Sequence, residues 1–410
     1  MNDRKIAGIV CEYNPFHTGH EYQIKKIREM GYEGIVCVMS GNTVQRGEFA
    51  IADKYARAEM AIKCGADLVL ELPYPYSSSG AEFFAAAAVK ILSSVGVGTL
   101  CFGSESADIE KLKMAAAICE GESFVKAYKN ISGGGVGSAA AFFDVYRQIS
   151  GEDFPGGSND LLGVAYIRAI IRNKLDIIPI AIKREGSAYT DGEIENSCGH
   201  PSALMIRNAI GEGLEKIKKS LPNASFETLL ACISKGDAPC NIRRIESAVL
   251  AFFRLADAEV LANMNIAEAG GGLVERLCKC AKAAKSYDEF VTMTSNKNYT
   301  ESRVRRAILS SMTGATEEDI RRTPAYSTVL AFNDVGREIL ASLRKAETEI
   351  AFVTKPADAE GISDEAARQS ALSEKADALF TLVKPNPAES GEYKLRSPVY
   401  LNKNIITMEK

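Results

Sequence analysis

The feature that most limits what this chain can fold into is an alternation in its first half. Short apolar runs at residues 6–12, 35–39, 68–72, 99–102 and 177–182 read as buried strands, most of them closed by Gly, Pro or Asn. Between them lie segments of helical length and pattern at 20–30, 54–63, 82–92, 108–119, 138–149 and 160–173. Asp53 stands where it can accept hydrogen bonds from the first free amides of the second helix. Strands separated by helices are joined by crossovers rather than hairpins, so the pattern predicts an α/β fold with a parallel sheet. Ligands of such sheets lie beyond the carboxyl ends of the strands.

After about residue 211 this rhythm fades. Residues 214–220, 225–232, 244–262, 272–286, 301–312 and 336–347 read as helices, with one strand-like run at 350–354. The expected organisation is therefore an α/β domain over 1–212 and a mainly helical region over 213–410. The turn-rich tail from residue 385 is expected to pack over the surface. Ser132-Gly133-Gly134-Gly135-Val136-Gly137-Ser138 lacks the Lys-Ser/Thr ending of a phosphate loop and the third glycine of a dinucleotide fingerprint, and reads as a mobile loop.

Charge restricts the partners. The 410 residues carry 49 Lys and Arg against 53 Asp and Glu, and the balance is 21 to 25 over 1–210 and 28 to 28 over 211–410. Neither half is a strongly basic nucleic-acid domain, so RNA binding would rest on a local patch. The 10 Cys form no Cys-x-x-Cys pair, and Cys278-Lys279-Cys280 alone does not complete a zinc site. Scattered thiols, no signal-peptide pattern and no apolar run of about 18 residues predict a soluble cytoplasmic protein without a membrane partner.

Of the three His, two fall in His17-Thr18-Gly19-His20, between the first strand and the first helix. A helix N-terminus attracts phosphate, Gly19 allows a nucleotide to approach the backbone, and residues three apart share one face. Two convergent imidazoles suit stabilisation of charge on an α-phosphate and a departing pyrophosphate. Helix capping and half of a metal site are the competing readings. The segment Ser202-Ala203-Leu204-Met205-Ile206-Arg207 offers a helix-capping hydroxyl and a guanidinium for phosphate, or else an ordinary helix start.

The stretch Gly8-Ile9-Val10-Cys11-Glu12-Tyr13-Asn14-Pro15-Phe16-His17-Thr18-Gly19-His20 resembles the HxGH superfamily of nucleotidyltransferases and class I synthetases. Gly41-Asn42-Thr43-Val44-Gln45-Arg46-Gly47-Glu48-Phe49-Ala50-Ile51-Ala52-Asp53-Lys54, Gly65-Ala66-Asp67-Leu68-Val69-Leu70-Glu71-Leu72-Pro73, Phe102-Gly103-Ser104-Glu105, Ser158-Asn159-Asp160 and Ile182-Lys183-Arg184 narrow the likeness. With Asn298-Tyr299-Thr300-Glu301-Ser302-Arg303-Val304-Arg305-Arg306, they resemble the bacterial tRNA(Met) cytidine acetate ligase family.

That resemblance implies a Rossmann-like nucleotidyltransferase sheet and a two-step reaction. Acetate and ATP give acetyl-adenylate and pyrophosphate, and the acetyl group then passes to N4 of the wobble cytidine of elongator tRNA(Met). It also implies catalysis by His17 and His20, with Mg2+ on the pyrophosphate. ATP would lie along Val10, Cys11, Glu12, Tyr13, Asn14, Pro15, Phe16, His17, Thr18, Gly19, His20, Glu21, Tyr22 and Gln23. Gly103, Asn159 and Arg184 would complete the pocket, and the second phosphate motif usual in HxGH folds would add Ser202 and Arg207. Lys54 and Arg57 are candidates for acetate, with solvated surface as the alternative; Glu12 and Asp67 read as structural. Lys297, Arg303, Arg305, Arg306, Arg321 and Arg322 form the candidate tRNA-binding patch, which is otherwise an ordinary solvated face. Two other readings compete. One is a small-molecule adenylyltransferase making a dinucleotide-type cofactor; the other is an RNA-binding protein whose nucleotide site only regulates.

Overall fold

The computed structural model describes residues 5–132, 139–185, 200–344 and 347–402. The Ser132–Ser138 glycine-rich segment therefore lies almost wholly outside the described residues. In the N-terminal half the strands are β1 Ile6–Cys11, β2 Gly34–Ser40, β3 Thr43–Val44, β4 Glu48–Phe49, β5 Leu68–Leu72, β6 Thr99–Ser104 and β7 Ile178–Lys183. The helices are α1 Thr18–Glu29, α2 Lys54–Lys63, α3 Ala81–Ser94, α4 Ile109–Glu120, α5 Glu122–Ser132, α6 Ala139–Ser150, α7 Ser158–Arg172 and α8 Ala203–Ile210. β2 and β5 lie on one side of β1 and β6 and β7 on the other, all parallel. The chain thus changes direction across the sheet at β1, and the crevice beyond its carboxyl end is the natural ligand position.

Side chains alternate across the sheet with period two. Ile9, Cys37 and Val69 join the layer under α1 and α2, while Val36, Val38, Leu70 and Leu100 join the layer under α3, α4 and α7. Asp53 caps α2 through the amides of Tyr55 and Ala56, at 2.8 and 2.9 Å.

The second half departs from its sequence reading at the sheet. A strand over Tyr326–Phe332, β8, pairs antiparallel with β5, while β9 Ala351–Val353 and β10 Val399–Tyr400 both pair parallel with β8. The tail after residue 385 does not simply lie on the surface: it supplies β10 and buries Tyr393. Residues 249–308 hold a separate helical core around Phe253, Leu277, Phe290 and Ile308.

Lys54, expected either near acetate or in solvent, is neither. It is 1% exposed, and its Nζ reaches Glu71 Oε1 at 2.7 Å and Asp377 Oδ2 at 2.8 Å. Burial opposes its charge, but Asp377 and Glu71 overcome that and hold the ammonium protonated. Asp377 belongs to the helix Asp364–Val383, so the ion group joins the two halves of the chain. Lys54→Met strands two buried carboxylates and is expected to cost about 3–5 kcal/mol in urea unfolding. Lys26→Ala, which breaks an exposed pair with Glu29, should change stability by less than about 1 kcal/mol.

Candidate active site

At the end of β1 the chain turns through Tyr13, in the left-handed region at φ 45, into Asn14, Pro15 and Phe16 and so to α1. Pro15 and Phe16 are buried and support the turn from below, and Ser225 Oγ donates to the Phe16 carbonyl at 2.7 Å. His17 is the N-cap of α1. Its Nδ1 accepts from Gly19 N at 3.0 Å, and its own N–H donates to His20 Nδ1 at 3.2 Å. The capping reading is therefore correct for one edge of each ring. Because both Nδ1 atoms accept, each neutral imidazole carries its proton on Nε2. The rings lie 3.7 Å apart, so two donors are offered from one place at a helix N-terminus. Burial pushes His17 down to about 3, helped by Arg184, His200 and Arg207, and burial likewise lowers His20. Both rings are neutral at neutral pH.

These histidines line a cavity of about 240 Å3 at the carboxyl ends of β1 and β6. Val10, Cys11, Glu12, Tyr13, Asn14 and Gln23 border it from the motif side. Gly103, Asn159, Arg184 and Ser202 border it from the other elements. Arg184 donates to Asn159 Oδ1 at 3.4 Å, and Asn159 donates to Glu105 at 2.5 Å. Ser202 caps α8, accepting from Met205 N at 3.3 Å. Gly19 and Tyr22 border a smaller adjoining hollow with His200.

The comparisons with known proteins agree with this geometry. Residues 4–394 match the family model described as HIGH Nucleotidyl Transferase. A tRNA(Met) cytidine acetate ligase of Caldanaerobacter subterraneus subsp. tengcongensis is 36% identical over 365 residues, covering 86% of this chain and 89% of the relative. That of Syntrophomonas wolfei is 32% identical, covering 96% and 99%. The chain belongs to the tRNA(Met) cytidine acetate ligase family. A crystal structure of Thermotoga maritima TmcAL bound with alpha-thio ATP has a TM-score of 0.87 at 32% identity, covering 97% of this chain and 100% of that one.

Several of the residues expected at ATP from the sequence make other contacts within the protein. Glu21 is exposed on α1. Thr18 donates its amide to Ser220 O at 3.0 Å and meets His200 Nδ1 through its hydroxyl at 2.8 Å. Arg207 donates to Asn14 O at 2.8 Å and faces Glu48 at 3.8 Å, so it braces the turn. Arg57 is fully buried with its guanidinium on backbone carbonyls, and is not a solvated or acetate-facing cation. Asp67 accepts from Ile35 N and Arg28 and is structural, as read. Sequence reasoning missed Gln45, Arg46, Phe84, Leu162 and Tyr166, which also border the cavity. Gln45 and Arg46 lie inside the Gly41–Lys54 stretch that resembles the family; the apolar three carry no separate signal.

The basic patch is not a free arginine face. Arg303 is buried and donates to the carbonyls of Glu268 at 3.0 Å, Gly270 at 2.9 Å and Asn298 at 3.4 Å. Arg306 spans Glu268 Oε2 at 3.0 Å and Gln45 O at 3.2 Å. Arg305 pairs with Glu301 and Glu48, Arg321 with Glu317, and Arg322 with Glu318 and Glu365. Lys297 is exposed.

The neutral His17 ring sets a sign for acid stability. Its folded pKa lies below the unfolded value, so its contribution is present above about pH 6.5 and is lost as pH falls toward 3. His17→Asn keeps an acceptor for Gly19 N but removes the titration. Denaturant unfolding of the wild type should lose about 1 kcal/mol more per unit than the variant between pH 6 and 4.

Proposed function

We propose that this chain activates acetate with ATP and acetylates N4 of the wobble cytidine of elongator tRNA(Met). The observation that carries the reading is the pair of Nε2–H donors freed by reciprocal capping at the mouth of the strand β1 crevice. In the first step a carboxylate oxygen of acetate bonds to the α-phosphorus. The bond to the bridging oxygen breaks, and pyrophosphate leaves with the electron pair; no proton moves. His17 and His20 meet the charge that gathers on the α-phosphate and leaving oxygens, each worth roughly 10²–10³ in rate. Gly103, Asn159 and Arg184 take the nucleotide side of the pocket. In the second step N4 of cytidine attacks the acetyl carbonyl, and AMP and one proton are released.

Among the described residues no group of three or more His, Cys, Asp and Glu is arranged to hold a metal. A magnesium ion would enter with ATP as part of the substrate and would offset charge on the triphosphate. No described helix is long and apolar enough to cross a membrane.

The tRNA side is assigned to the region after residue 213 together with a groove of about 820 Å3 between it and helices α3 to α7. Phe83, Tyr128, Phe142 and Phe143 line it beside Arg168 and Arg321, a combination suited to unstacked bases and phosphates. The small-molecule adenylyltransferase reading gives this groove no role. Lys297 lies on the neighbouring surface.

Two tests follow from these roles. His20→Asn keeps an acceptor for the His17 amide while deleting the Nε2 donor. Acetate-dependent ATP–pyrophosphate exchange should fall by about 10² or more with folding unchanged; unaltered exchange would remove His20 from the chemistry. Charge reversal by Lys297→Glu with Arg321→Glu should weaken tRNA binding. The slope of log affinity against log salt should flatten by about 1 for each phosphate no longer neutralised, measured by filter binding.

A further inference from the structure

The carboxylate that attacks ATP is itself an anion, and something must hold it beside the triphosphate. Building on the acetate ligase reading above, we infer that Asn14 and Arg46 form the acetate site, on the β2 side of the cavity.

The two sides of the cavity differ in what they offer. Gly103, Asn159 and Arg184 come from β6, α7 and the end of β7, and stand on one flank of the histidines. Glu12, Asn14, Gln45 and Arg46 come from the end of β1 and the turn between β3 and β4, on the other flank. In-line displacement needs the attacking oxygen and the leaving pyrophosphate on opposite faces of the α-phosphorus. A nucleotide seated on the β6–β7 flank leaves the β2 flank for the attacking acid.

Asn14 brings an unspent donor to that flank. It is 1% exposed, and its Oδ1 accepts from Ile51 N at 2.8 Å, which fixes the other end of the amide as Nδ2. That Nδ2 is buried with no hydrogen-bond partner among the described residues. Buried donors are ordinarily paired, so an unpaired one in a cavity wall points to a ligand acceptor.

Arg46 brings the positive charge. The turn that bears it is tied down from both halves of the chain. Gln45 N donates to Glu12 Oε1 at 2.9 Å, and Gln45 O accepts from Arg306 at 3.2 Å. Gly47, at φ +74, lies so close to the backbone of Arg305 and Arg306 that a Cβ there would collide. A guanidinium on such a fixed turn is preorganised for a carboxylate, whose two oxygens match its planar fork. Neutral His17 and His20 donate hydrogen bonds but supply no net charge to draw a second anion to ATP. Lys54 and Arg57 are buried behind the wall and do not compete for the role.

The test combines acetate-dependent ATP–pyrophosphate exchange with calorimetric ATP binding on the full chain. Arg46→Gln should raise the acetate KM by about 10- to 100-fold, while the ATP Kd stays within about twofold. Asn14→Asp keeps the acceptor for Ile51 N and replaces the donor by a negative charge, and should raise the acetate KM in the same direction. An unchanged acetate KM in both variants would overturn the assignment. So would an ATP Kd that climbs in parallel with acetate KM in Arg46→Gln, which would move Arg46 to the nucleotide. Wild-type exchange that proceeds without acetate overturns the ligase reading itself, and this site with it.

Discussion

Arg57 is a cation sealed away from water, and the geometry of the site depends on how it is satisfied. Its guanidinium donates to the carbonyls of Glu12 at 2.5 Å, Ser40 at 3.1 Å and Ala52 at 3.0 Å, and also to Gly41. Those carbonyls lie at the carboxyl ends of β1 and β2 and just before α2, where the sheet's own ladder has run out of partners. Burial pulls its pKa down to about 10, against the attraction of Asp53 and Glu12, so it stays charged at neutral pH. One side chain thereby sets the distance between the turn that leads to His17 and the loop that leads to Gln45 and Arg46. The histidine turn and the β2 flank of the cavity are thus referred to the same guanidinium.

Lys54 sits one helical turn before it, and the two face different structures. Arg57 gathers the strand ends beneath the site; Lys54 reaches outward to Glu71 and to Asp377 on the helix Asp364–Val383. Helix α2 is in this way a strut with a cation toward each half. Arg306 makes a comparable link from the helix Glu301–Thr313 to Gln45, at the edge of the cavity. The polar chemistry between the halves is mostly internal ion pairing, which leaves few of the arginines for a nucleic acid.

The parallel strands, the Asp53 cap and the histidine pair were legible because each has a local signature. β8 was not, although Tyr326–Phe332 is almost wholly buried, because its place against β5 depends on a partner some 250 residues away. The helix Asp364–Val383 was hidden for the opposite reason. Its buried face includes Gln369, Ser370, Ser373 and Asp377, placed there to meet Tyr76, Tyr74 and Lys54, so the apolar periodicity fails. Lys54, Arg57 and Arg303 read as solvent-facing or ligand-facing because a cation inside a protein is betrayed only by its acceptors, and here those are distant in sequence. For the histidines the shared place at the helix start was legible but the tautomer was not, since it rests on which backbone amides the rings accept.

The antiparallel pairing of β8 on β5 also has a meaning in time. β5 ends at Leu72 and β8 begins at Tyr326, a gap of 326 − 72 = 254 positions. At roughly 5–20 residues per second, a ribosome needs about 13–50 s to cover it. Throughout that interval the nascent sheet carries an uncovered edge, the kind of edge that invites pairing with other chains. Arg306 arrives only shortly before β8 does, so the turn bearing Arg46 lacks its brace for nearly as long. The unfinished polypeptide thus carries its histidine motif early while the opposite wall of the pocket is still unsupported, and competence to consume ATP is deferred until Arg306 and β8 have been made.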